Sequence, residues 1–120
     1  MKERIVTVKE GVIEKKLRIR FNMAVEIAYE EISGKAFSIN DTINSTKDRA
    51  ALIMAAVVSA NPETELNMDW LINLASAKEI AELTSAVYES FAEWFKIPAV
   101  VEAEERQESK QEEAEESEKN

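Results

Sequence analysis

The run Ile13-Glu14-Lys15-Lys16-Leu17-Arg18-Ile19-Arg20-Phe21-Asn22 decides how this chain folds. Leu17, Ile19 and Phe21 alternate with Lys16, Arg18 and Arg20, the period of two that puts an apolar row on one face of a strand and a charged row on the other. Asn22 then supplies the side-chain acceptor that opens a helix. Working back from this strand, Ile5 to Val8 is short and β-branched, and Glu10-Gly11 falls where a tight turn needs a positive φ. The two stretches predict an N-terminal hairpin. Its charged face reads as an anion-binding stripe or as a solvated face that discourages edge pairing, and the second is the commoner use.

Working forward, Val25, Ala28, Tyr29 and Ile32 recur at helical spacing and form the expected inward face of a first helix. Ser33-Gly34 stops it, since glycine takes the left-handed conformation that ends helices. Ala36 to Asn44 reads as a loop or a single helical turn. Ser45 with Asp48 makes a loose capping box, and every residue from Ala50 to Val58 is apolar before Asn61-Pro62 ends the run. A helix apolar on all sides must be covered on several faces, by the rest of the fold or by a partner. Asn67 to Ala75 predicts a short helix with Trp70, Leu71 and Leu74 available for packing. Ser76-Ala77-Lys78-Glu79 fits the capping box S-x-x-E, and Ile80, Leu83, Thr84, Val87, Phe91, Trp94 and Phe95 continue it as the longest amphipathic helix. Tyr88 and Ala92 widen its stripe. The fold expected is α+β and mainly α: a hairpin on a small bundle of four or so helices.

Composition agrees with one modest core. The 120 residues are 45% hydrophobic and 32% charged, near globular norms. The net charge of -9 is unevenly placed, because residues 102–120 carry nine Glu against Arg106, Lys110 and Lys119. That stretch has almost no apolar content to offset its ordering entropy. It predicts an acidic, disordered low-complexity tail at 101–120 behind a folded domain at 1–100. Without a signal-peptide pattern or an apolar run near the roughly 20 residues that span a bilayer, the expected location is the cytoplasm, with no membrane partner. The acidic balance likewise argues against a nucleic-acid partner.

Chemistry has few residues to work with. The chain has no cysteine and no histidine, which removes thiol chemistry, ordinary zinc sites and the usual proton carrier near neutral pH. No Gly-rich phosphate loop, G-x-S-x-G or H-E-x-x-H motif is present. Glu26 and Glu30 lie one helical turn apart, but exposed Glu on an amphipathic helix is far commoner than an acid and base pair. The expectation is a binding protein, not an enzyme, with no cofactor and no metal.

The order of elements carries a resemblance. A strand Leu17-Arg18-Ile19-Arg20-Phe21-Asn22 leads to a helix ending Tyr29-Glu30-Glu31-Ile32-Ser33-Gly34-Lys35, then an apolar helix, then Asn61-Pro62 and Asn67-Met68-Asp69-Trp70-Leu71. This resembles the tail assembly chaperones of long-tailed, siphovirus-type bacteriophages and prophages, where an L-x-F-x-F-N strand precedes a helix with an acidic E-L-T-G-K-like end and an alanine-rich helix. It spans about Leu17 to Trp94, and the chain departs from it at Arg18, Arg20, Ala36-Phe37-Ser38 and the connection from Ile39 to Ser45. The resemblance implies a cytoplasmic protein of the host bacterium that binds the tape-measure protein and keeps it soluble while the tail tube assembles around it. It also implies tail-tube protein as a further partner of a frameshifted longer form. Homo-oligomerisation is expected of a chaperone whose own groove needs covering.

The family marks no groove residues on this sequence. Side-chain chemistry alone nominates Met54, Trp70, Tyr88, Trp94 and Phe95 for partner binding, since methionine and aromatic side chains give large, adaptable contact area; packing in the core is the commoner role for each. The alternative function is a small acidic regulatory or inhibitory protein-binding module. Positions 1–101 hold fifteen acidic and twelve basic residues, too balanced for a good nucleic-acid mimic.

Overall fold

The computed structural model describes residues 3–96. Strands β1 (Arg4–Glu10) and β2 (Ile13–Ile19) pair antiparallel, from Glu10 with Ile13 at the turn to Arg4 with Ile19 at the open end. Gly11 and Val12 form the connection. Gly11 has φ 65° while Val12 has no positive φ, the pattern of a two-residue turn with glycine at its first position. Val6, Val8, Leu17 and Ile19 are buried on the inner face, and Phe21 follows them into the core. The alternating run therefore points as its period requires.

Helix α1 (Met23–Ser33) is capped at both ends as expected. The Asn22 side chain accepts from the Ala24 N–H at 3.0 Å, and Gly34, at φ 73°, donates its N–H to the Glu30 carbonyl. Val25 and Tyr29 are fully buried, but Ile32, expected inward with them, is 40% exposed. It overhangs an open cleft shared with Lys47, Ala51 and Met68, so the last turn of α1 runs past its cover. A short helix α2 (Ile39–Asn44) follows. Ser45 both ends it and caps α3 (Thr46–Ala60), its hydroxyl accepting from the Asp48 N–H. Arg49 turns back and donates to the carbonyls of Thr42 and Ile43, which satisfies acceptors that a helix end leaves open.

Helix α3 is the centre of the fold. Every residue from Ala51 to Val57 is buried, because α1, α2, β2 and a fourth helix all lie against it. The fold itself thus provides the cover that an all-apolar helix requires.

The expected short helix after Pro62 is wound differently. Trp70–Leu74 is a π-helical turn, with the Ala75 N–H reaching the Trp70 carbonyl at 2.8 Å. Trp70 and Leu71 are buried, whereas Leu74, expected to pack, is 69% exposed. Bonding five residues back widens the turn by one residue, which rotates Leu74 off the face that Leu71 buries. Helix α4 (Ala77–Trp94) opens with the complete capping box, Ser76 Oγ accepting from the Glu79 N–H and Glu79 from the Ser76 N–H. It buries Leu83, Ala86, Val87 and Ser90. The architecture is the expected one, a hairpin on four α-helices with one added π turn. The acidic tail expected at 101–120 lies outside the described residues. No helix among the described residues is long and apolar enough to cross a membrane.

Side chains from the helices clasp both outer edges of the hairpin. On β2, Asn61 accepts from the Arg18 N–H at 3.0 Å and donates to the Arg18 carbonyl at 2.9 Å. On β1, the Lys9 N–H donates to Glu79 and the Lys9 carbonyl accepts from the Trp70 indole N–H at 3.2 Å. At the open end, Arg4 reaches Glu89, Ser90 and Glu93 of α4.

Candidate partner-binding groove

Three elements leave an apolar groove between them. Ala50 and Ile53 come from α3, Leu71 and Ile72 from the π turn, and Ile80 and Thr84 from α4; together they line a cavity of about 240 Å³. Each wall has a local cause. From α3, the half-buried Ala50 stands on the wall and Ile53, only 2% exposed, forms part of the floor. Ile80 and Thr84 are one α-helical turn apart on the predicted stripe of α4, and Thr84 keeps its hydroxyl occupied by donating to the Ile80 carbonyl at 2.6 Å, so the wall it offers is its methyl side. The π turn pushes Ile72 outward, where it is 64% exposed.

Charge enters at one end. Arg49 lines the groove beside Thr46, and its guanidinium is held there by the carbonyls of Thr42 and Ile43. Ile43 itself is 53% exposed. The site is thus an apolar slot with the exposed Ile72 on its rim and the fixed cation of Arg49 at one end. Its volume is below the roughly 300–1,000 Å³ of small-molecule pockets, and it suits one or two anchoring side chains of a protein partner. Among the described residues no cluster of acidic side chains is placed to hold a metal ion.

The five residues nominated from sequence are not brought together, and none lines this groove. Met54 and Trp70 are 3% and 4% exposed and belong to the core. The Trp70 indole is further committed to the Lys9 carbonyl. Tyr88 is half-buried and donates its hydroxyl to Thr42 Oγ1 at 2.9 Å, tying α4 to α2. Trp94 and Phe95 are exposed at the end of α4, where the Phe95 ring lies 4.5 Å from Phe91 and 6.2 Å from Phe21. Ile53, Ile80 and Thr84 were visible in the sequence as members of apolar stripes, but nothing in the pattern marks which part of a stripe stays uncovered. Ile72 carried no signal, because its exposure follows from the π winding.

Compared with known proteins, the chain matches no family model, no curated protein and no solved structure.

Proposed function

We propose that this chain is a protein-binding module that shields an apolar, helical partner, in the manner of a phage tail assembly chaperone holding a tape-measure protein soluble. The groove between α3, the π turn and α4 is the observation that carries this reading. An amphipathic helix laid across such a slot inserts one or two apolar anchors and leaves its polar face in water. Arg49 at one end favours a partner with an acidic side chain or a helix carboxyl end next to the anchor. The sequence resemblance supplies the identity of the partner, and the strongly acidic segment at 102–120 suits a protein that must keep a sticky client in solution.

The test is co-expression with the long helical tape-measure candidate from the same genome, with soluble partner measured after affinity capture of this chain. Ile72→Glu places a charge at the groove on an already exposed position, and Ile13→Glu, on a residue 61% exposed in the hairpin, is the matched control. Capture lost with Ile72→Glu and kept with Ile13→Glu supports the reading. A partner that precipitates equally with and without this chain overturns it and makes the acidic regulatory module the leading function.

A further inference from the structure

In an antiparallel pair the residues alternate between those bonded across the ladder and those whose N–H and C=O point away from it. The turn-closing pair Glu10 and Ile13 fixes the phase. Arg4, Val6, Val8 and Glu10 bond to β2, and Ile5, Thr7 and Lys9 present their backbone groups to the outer edge of β1. The clasps obey this phase, since both outward groups of Lys9 are taken, by Glu79 and Trp70. The outward groups of Ile5 and Thr7 have no hydrogen-bond partner among the described residues. They border an open cleft of about 630 Å³ with Ile5, Thr7 and Lys9 on one wall and Lys78 and Glu82 of α4 on the other. Ile5 is 57% exposed there. An open strand edge is a template for another strand.

We propose that this edge joins two copies of the chain, β1 pairing antiparallel with β1 of the second copy about a two-fold axis at Val6. The register is dictated by which groups are open. With the axis at Val6, Ile5 faces the partner's Thr7 and Thr7 faces the partner's Ile5, so all the open groups bond to one another in four N–H···O bonds. Moving the axis to Thr7 puts Ile5 against the partner's Lys9, whose groups are already used. Moving it to Ile5 puts Thr7 against the partner's Glu3, which precedes the strand. Beyond these four bonds the strands part, because Glu79 and Trp70 fill the side of Lys9 where the partner's Glu3 would lie and Glu3 is held by Arg20 of its own chain at 3.3 Å. A two-fold interface of this kind uses the same patch on both copies. The paired stretch is short because the clasp at Lys9 ends it, so the dimer is weak and depends on concentration.

The absence of cysteine makes the register directly readable. In the double variant Ile5→Cys/Thr7→Cys, each new thiol faces its counterpart across a bonded pair with Cα atoms about 5.5 Å apart, within disulfide reach. Oxidation is expected to give a covalent dimer in the double variant and not in either single variant. Sedimentation equilibrium of the unaltered chain is expected to rise with concentration from 13.6 kDa toward twice that mass. Thr7→Pro, which removes an edge N–H and no bond of the β1–β2 ladder, is expected to hold the chain monomeric with an unchanged circular dichroism spectrum. Ile72→Glu leaves dimerisation intact, so this inference and the groove reading fail separately. A chain monomeric at every concentration, a dimer indifferent to Thr7→Pro, or cross-linking as strong in the single variants overturns the proposal.

Discussion

Asn61→Ala is the substitution with the most predictable cost. The Asn61 side chain is 3% exposed and makes three hydrogen bonds, to the N–H and carbonyl of Arg18 and, at 2.8 Å, to the Val57 carbonyl. Each such bond contributes about 0.5–1.5 kcal/mol net, so removing all three costs roughly 2–4 kcal/mol in a domain whose total stability is on the order of 5–15 kcal/mol. With a urea m-value of about 1–3 kcal/mol/M the unfolding midpoint falls by roughly 1–4 M. Asn61→Asp sharpens the test. At neutral pH its carboxylate keeps the bond from the Arg18 N–H but faces two carbonyls without a proton to give, so it is also strongly destabilised. Burial against those carbonyls raises the folded-state pKa of the new acid. Its penalty is therefore largest above that raised value, and it is relieved as pH falls and the protonated acid becomes a donor. The assay is urea unfolding followed by tryptophan fluorescence at neutral and mildly acidic pH. An Asn61→Ala cost below about 1 kcal/mol, or an Asp variant as stable as the parent at neutral pH, would refute the reasoning that this side chain substitutes for a neighbouring strand.

Gly34→Ala is expected to cost about 1–2 kcal/mol, because residue 34 sits at φ 73° and the left-handed conformation disfavours any Cβ; no atom lies within 4 Å of the added methyl, so Gly34→Asn should recover part of the loss in thermal unfolding. For Glu79, burial pushes the carboxyl up, but the N–H groups of Ser76 and Lys9 outweigh it and hold the carboxyl below its ordinary value. The stability it contributes is therefore present at neutral pH and lost as pH falls through and below the usual carboxylate range. Glu79→Gln should lower Tm at pH 7, with the gap from the parent chain closing on acidification; a gap independent of pH would count against the carboxylate as the active form.

Local structure is legible in the sequence where one residue type has one physical use. The glycine at 34, the cap at Asn22, the box from Ser76 to Glu79 and the alternation up to Phe21 all stand in the structure as their chemistry requires. The central role of α3 followed from its having no polar side. The phase of a short segment is not legible in this way. Trp70, Leu71 and Leu74 look alike in sequence, but Trp70 is fixed from outside by Lys9 and from below by Asn67, whose side chain accepts from the Trp70 N–H. Those two anchors set the winding, and the winding moved Leu74 and Ile72 outward. The groove was illegible for the same reason: it exists where three elements fail to close on one another, a property of their docking and of no single stretch. Met54 and Trp70 were nominated as large adaptable surfaces, and the same size and softness place them in the core.

The clasps on the hairpin couple two events that are separable in many small folds. A one-residue slip between β1 and β2 would turn the inner row outward, and it would also carry Lys9 and Arg18 away from Trp70, Glu79 and Asn61. The alignment of the strands is thereby checked by residues more than forty positions along the chain. Such a hairpin has little reason to commit to its pairing before α3 and α4 are in place, and a truncated peptide of the first 22 residues should drift among alignments. Folding would then proceed in one step, with the strands zipped last against a helical gauge that accepts one alignment.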